Sequence, residues 1–249
     1  MAMTLEAYER ALSGPRSQFA SQRVVEELIN ADVDPGLLEL FLIEFSALGR
    51  FMTEPVEGWI QRAGQRCAAL GLPDLGRALQ GHARQEAGHH LLMLDDTRAL
   101  VLRWNARRRP LLDVETLLRQ PPSEGIRGYR QLHDDVIAGD APFAQLAIEY
   151  EIEMLSVRFG PRLIEQCVRL LGRPVLEGLS FLREHVELDV SHTGFNRRQL
   201  ERLLAQEPRC VAPLAAAGTA ALTAYGRFLE DRLLAAEEAL SGVVASAAS

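Results

Sequence analysis

Apolar residues along this chain recur at steps of three and four almost from end to end. Leu37, Leu38, Phe41, Leu42, Phe45 and Leu48 follow this spacing, the pattern of a helix with one buried face, and Pro35 stands near its start, where proline is tolerated. Sustained alternation, the mark of a half-buried strand, is nearly absent, and no Asn-Gly or Asp-Gly pair joins two apolar runs. Breakers such as Gly14-Pro15, Asp34-Pro35-Gly36, Gly71-Leu72-Pro73, Pro121-Pro122, Ala141-Pro142, Gly172-Arg173-Pro174 and Glu207-Pro208 cut the chain into long segments. Between them the pattern predicts roughly seven to nine helices, some of bundle length. Gly160-Pro161 falls inside the periodic run from Phe143 to Leu171 and predicts a kink or a division there. With no long linker or low-complexity segment, residues 1–249 read as a single all-α domain; its weakest joint is the stretch from Arg109 to Glu124.

Composition narrows the chemistry. The chain has 249 residues, 27 basic against 34 acidic, for a net charge of −7, and every basic residue is arginine. Without lysine there is no Schiff-base enzyme, no P-loop NTPase and no kinase strand lysine. An acidic chain without a basic tail is a poor partner for nucleic acid. Three scattered cysteines, Cys67, Cys167 and Cys210, form no C-x-x-C pair and read as inert core thiols of a reducing compartment. The first residues lack the features of a signal peptide. The apolar stretch from Val211 to Tyr225 contains Pro213 and is too short to span a bilayer. A cytoplasmic protein that does not enter the membrane is the expectation.

Five of the six histidines fall in two short segments, His82-Ala-Arg-Gln-Glu86-Ala-Gly-His89-His90 and His185-Val-Glu-Leu-Asp189-Val-Ser-His192. Both follow H-x-x-x-(E/D)-x-x-H. On a helix, positions i, i+4 and i+7 lie within roughly 60° of one another. Imidazoles and a carboxylate then project together, as iron, manganese or zinc requires. A third segment, Leu146-Ala-Ile-Glu149-Tyr-Glu151-Ile-Glu153, places Glu149 and Glu153 on one face of an apolar helix. Glu151 is turned roughly 160° away and is predicted to face solvent. Glu44 is a further carboxylate on an apolar face, costly unless paired or metal-bound. His82 reads as a ligand or as a hydrogen-bonded neighbour of the site. His90 reads as a supporting or surface residue, about 100° from His89. His133 in Gln-Leu-His-Asp-Asp reads as solvated helix surface, and Arg107-Arg108-Arg109 as a helix end meeting solvent.

The order of these motifs resembles that of the haem-oxygenase-like di-iron oxidases and oxygenases. In that superfamily a Glu with a nearby His comes first, a Glu on a middle helix follows, and H-x-x-x-D-x-x-H comes last. Glu86 with His89, then Glu149, then His185, Asp189 and His192 match in order and type. The resemblance implies that these six residues hold two ferrous ions and that O₂ is the co-substrate. It prefers Glu149 over Glu153 as the middle ligand, because Glu149 lies 36 residues before His185. The implied activities are desaturation, oxidative decarboxylation, C–C cleavage or N-oxygenation of a small amino-acid-like or fatty-acid-like metabolite, often in natural-product biosynthesis. An external electron donor and a homodimer are implied as well. A substrate carboxylate would need an arginine if a basic side chain serves it; Arg84, Arg158 and Arg183 lie near the ligand helices, but each reads first as ordinary surface and none is a site residue. Phe41, Phe45 and Tyr150 are candidate pocket residues. Three alternatives share parts of the pattern. A ferritin-like di-iron or iron-storage bundle would use Glu44, Glu86, His89, Glu149, Asp189 and His192, but has no place for His185. A cofactor-free oxidase like that of pyrroloquinoline-quinone synthesis uses the same fold. A thiaminase-like hydrolase would need a positioned Cys and Glu, and Cys167 has no evident partner.

Overall fold

The structure is a computed structural model that describes the backbone of residues 2–247 and the side chains of residues 5–242. Among the described residues there is no strand. Eleven α-helices follow one another: α1 (Ala2–Ala20), α2 (Arg23–Leu28), α3 (Pro35–Thr53), α4 (Val56–Ala69), α5 (Pro73–Ala83), α6 (His89–Arg107), α7 (Val114–Leu118), α8 (Glu124–Ala138), α9 (Gln145–Leu171), α10 (Ser180–Gln206) and α11 (Val211–Ala247), with short 3₁₀ turns before α9, α10 and α11. The count exceeds the predicted seven to nine partly because α2 and α7, at six and five residues, are too short to show a period.

Helix α3 is the central element. Asp34 caps it, its carboxylate accepting from the Gly36 and Leu37 amides at 2.7 and 3.0 Å, and Pro35 takes the first helical position. Every residue from Gly36 to Gly49 is buried. Around it pack α6 and α11, while α9 lies against α10 and α11, and α4 pairs with α5. Pro161 does not divide α9, which runs unbroken through it, and α1 likewise continues through Pro15. No described helix is long and apolar enough to cross a membrane.

Two polar clusters brace this frame, and both correct the sequence reading. Glu151 does not face solvent. It is buried, accepts two bonds from Arg16 of α1 at 2.7 Å each, and accepts the Tyr8 hydroxyl at 2.7 Å. The arginines at the end of α6 do not simply meet solvent. Arg107 and Arg108 reach back to the fully buried Glu39 of α3 at 2.6 and 3.1 Å, joined by Arg103 at 3.2 Å. In each case a carboxylate on an apolar helix is neutralised by arginines distant in sequence.

Candidate metal centre

The second histidine motif lies on α10 as expected, within a continuous helix. The first does not form a helix face. Helix α5 ends at Ala83, residues 84–88 form a turn, and α6 begins at His89. Gly88 has φ +86°, a left-handed conformation that glycine adopts without strain, and it closes the turn between the two helices. Glu86 therefore sits on the turn, with His82 at the end of α5 on one side and His89 on the other.

This turn gives Glu86 two sets of neighbours. Its Oε1 lies 3.3 Å from His82 Nε2 and 3.2 Å from His192 Nδ1. Its Oε2 lies 3.1 Å from His89 Nδ1. Glu153 completes the first set, its Oε1 standing 3.1 Å from His82 Nε2 and 3.9 Å from His192 Nδ1. Two groups of potential ligand atoms result, each with all members within 4.8 Å of one another: His82, Glu86, Glu153 and His192, and Glu86, His89 and His185. The His89 and His185 rings are 4.8 Å apart. Either group suits a divalent cation, and Glu86 spans both.

Three of these atoms, His82 Nε2, Glu153 Oε1 and His192 Nδ1, are buried and make no hydrogen bond. They are close enough to couple electrically, yet they do not point at one another as donor and acceptor. Buried polar atoms are costly in that state, and convergence of their lone pairs on a common point is what a bound cation repays.

The charges agree. Burial alone would raise Glu86, but His192, His82 and His89 hold it well below the usual carboxylate range. Burial pulls His82 down, and Glu153 and Glu86 overcome it to lift the ring to about 10. Asp189 and Glu86 raise His192 to about 9. Burial pushes Glu149 up to about 8 and, against the pull of His82, Glu153 to about 7. Burial thus disfavours the charged forms of Glu149 and Glu153, and a dication bound beside them would favour those forms.

Supporting residues fix the remaining donors. His185 Nδ1–H donates to the Phe181 carbonyl at 2.9 Å, leaving Nε2 with the lone pair that a metal takes. Asn196 donates to Glu153 Oε2 at 2.7 Å. Ser156 donates to Asp189 Oδ2, and Asp189 Oδ1 lies 3.5 Å from His192 Nδ1.

Of the six ligands expected, the structure brings Glu86, His89, His185 and His192 into these groups, with Asp189 beside His192. Glu149 is not in either group. It lies one turn before Glu153, where the Gln145 amide donates to it. Glu153 and His82 occupy the groups instead. Spacing alone could not separate two glutamates on one face, and the role of His82 depends on the turn at Gly88. Glu44 is not a ligand candidate here, since Arg232 pairs with it at 2.9 Å. His133 corrects the sequence reading. It is fully buried, its ring stacked on Trp59 at 3.9 Å, and its Nδ1 accepts from Gln145 at 2.7 Å.

A cavity of about 180 Å³ adjoins the cluster, with Glu86, His89, Glu149, Glu153, His185 and Asp189 in its wall. The rest of the lining is mainly apolar and includes Phe41, Phe45, Phe159, Phe181 and Phe228. Tyr150 is not in it; its hydroxyl turns to Glu9 at 3.3 Å. No arginine lines the cavity, so Arg84, Arg158 and Arg183 do not serve it. Along α9 the wall runs from Glu149 to Leu163, about 21 Å at 1.5 Å per residue.

No protein-family model and no curated protein matches the chain. Solved structures do. A domain of unknown function with a haem-oxygenase-like fold from Shewanella denitrificans superposes with TM-score 0.74 at 18% identity, covering 97% of this chain and 96% of that one. A TenA homologue from Pseudomonas syringae pathovar tomato gives TM-score 0.71 at 15% identity, with coverage of 93% and 92%. A CADD-like protein of unknown function from Nostoc punctiforme gives 0.64 at 14% identity, covering 92% and 98%. The all-α chain therefore has the haem-oxygenase-like fold.

Proposed function

We propose that this chain is a non-haem di-iron oxidoreductase that uses O₂ on a small, largely apolar metabolite. The observation that carries the reading is the convergence of buried, unbonded His82, Glu153 and His192 atoms next to Glu86, at the wall of an apolar cavity. The ligands we assign are Glu86, His89, His185 and His192, with Glu153 in place of Glu149 as the middle carboxylate, and Asp189 stands beside His192 in support. Two ferrous ions held by these residues would supply the two electrons that O₂ activation requires.

The protein's own part is positional. Glu86 presents one oxygen to each side of the centre. Phe181 fixes the tautomer of His185, Ser156 fixes Asp189, and Asn196 fixes Glu153. Phe45, Phe181 and Phe228 give the adjoining space an apolar wall. Because no arginine reaches the cavity, a substrate's polar end has only the cluster itself, the Tyr129 and Tyr225 hydroxyls and a few neutral groups to meet. That favours a fatty-acid-like substrate over a zwitterionic amino acid, whose ammonium and carboxylate would both need partners.

The test is O₂ uptake by the iron-loaded protein with a panel of straight-chain acids and free amino acids. Uptake above the rate for free ferrous ion, stimulated by apolar chains and lost in His185→Gln, supports the reading. Equal uptake with and without protein, or turnover by metal-stripped protein, refutes it.

A further inference from the structure

The two groups of donors differ in number and in what they face. His82, Glu86, Glu153 and His192 supply four donors, and none of these residues is exposed. Glu86, His89 and His185 supply three. Of the first group only Glu86 and Glu153 reach the cavity wall and both imidazoles lie behind it, whereas Glu86, His89 and His185 of the second all line it.

We infer that His82 closes one of two cation sites, so that the site of Glu86, His89 and His185 alone keeps an open coordination position, turned to the cavity, for the substrate or O₂. This rests on the two-cation reading above. The geometry of the first group is that of a closed site. Donors at about 2.1 Å from a tetrahedral ion stand about 3.4 Å apart. The four measured edges, 3.1, 3.2, 3.3 and 3.9 Å, bracket that value. Four protein ligands characterise a site that holds its metal, and three characterise one that leaves room for chemistry. His82 can take this role because α5 ends beside it and the turn at Gly88 folds Glu86 back onto its ring. Its Nε2 makes no hydrogen bond that metal binding would have to break.

Two consequences follow for this chain. The His82 site fills first and more tightly, and small ligands reach only the second ion. Both are read by titrating the full, metal-stripped chain with Co(II), followed by calorimetry and visible absorption. The first equivalent is expected to give the intense absorption of four-coordinate Co(II), and the second to bind roughly tenfold or more weakly. Azide, added as a small anionic probe, is expected to change the spectrum only after the second equivalent. His82→Gln removes the tight step and its intense band. His185→Gln leaves that step intact and removes the weak one, so the inference stands on a variant that does not touch the buried group. Two equal steps, azide binding to the first ion, or loss of the tight step in His185→Gln overturns the inference and leaves the two-cation reading standing. Failure of the wild-type chain to bind Co(II) overturns both.

Discussion

The hydroxyl of Ser156 on α9 donates to the Asp189 carboxylate on α10, beside the candidate metal ligands. The bond orients the carboxylate that stands beside His192 and joins the two helices that form one wall of the cavity. Residues that support metal ligands in this way typically change affinity by about 10–100-fold when removed. Ser156→Ala is therefore expected to weaken metal binding by that factor in a competition titration while leaving the helical circular dichroism unchanged.

The same two helices meet closely at Gly160, whose missing Cβ would lie 2.5 Å from Val186 Cγ2. Valine is stiff at χ1 and cannot simply turn away. Overpacking costs about 1–3 kcal/mol, against about 1 kcal/mol that alanine gains over glycine inside a helix. Gly160→Ala is expected to lower unfolding stability by up to about 2 kcal/mol in urea, and Val186→Ala in the same chain to recover most of the loss.

Glu44 and Arg232 form a pair with both side chains nearly buried, 2.9 Å apart. Removing one member leaves a buried charge unpaired, at a cost of about 3–5 kcal/mol, whereas replacing both with apolar residues is often neutral. Arg232→Ala should be severely destabilised in chemical denaturation. Glu44→Leu combined with Arg232→Met should be close to wild type.

His133 gives a pH dependence. Complete burial lowers its pKa to about 3, so the folded protein keeps it neutral. The unfolded chain protonates the ring below about 6.5. Its contribution to stability is therefore full above pH 6.5 and is lost as pH falls toward 3, by up to about 1.4 kcal/mol per unit. The stability difference between wild type and His133→Gln, followed by denaturation at successive pH values, should shrink across that window. A difference that is constant with pH would contradict a neutral buried ring.

His133 also shows where the sequence stops being informative. Flanked by Gln131, Leu132, Asp134 and Asp135, it reads as surface, and what buries it is Trp59 on another helix and Gln145 twelve residues on. Glu151 reads as surface for the same reason, since Arg16 lies 135 residues away. Periodicity reports which face of a helix is apolar, not which distant cation neutralises a charge on it. The helices themselves were legible, because α3 and α10 carry their pattern locally. So was the proximity of Glu86 and His89, whereas His185 and His192 fall in different donor groups. The helix break at Gly88 was not legible, because H-x-x-x-E-x-x-H fits a continuous helix equally well. That break brings His82 onto Glu86, and the folded chain, not spacing, places Glu153 beside both.

The central claim is that these side chains hold two iron ions. Anaerobic loading of the full chain with Fe(II), removal of loosely bound metal, and iron analysis by mass spectrometry with Mössbauer spectroscopy test it most directly. The account predicts two high-spin ferrous ions per chain, and fewer in His192→Ala. One iron or none in the wild-type protein, or an unchanged count in the His192→Ala variant, would contradict it.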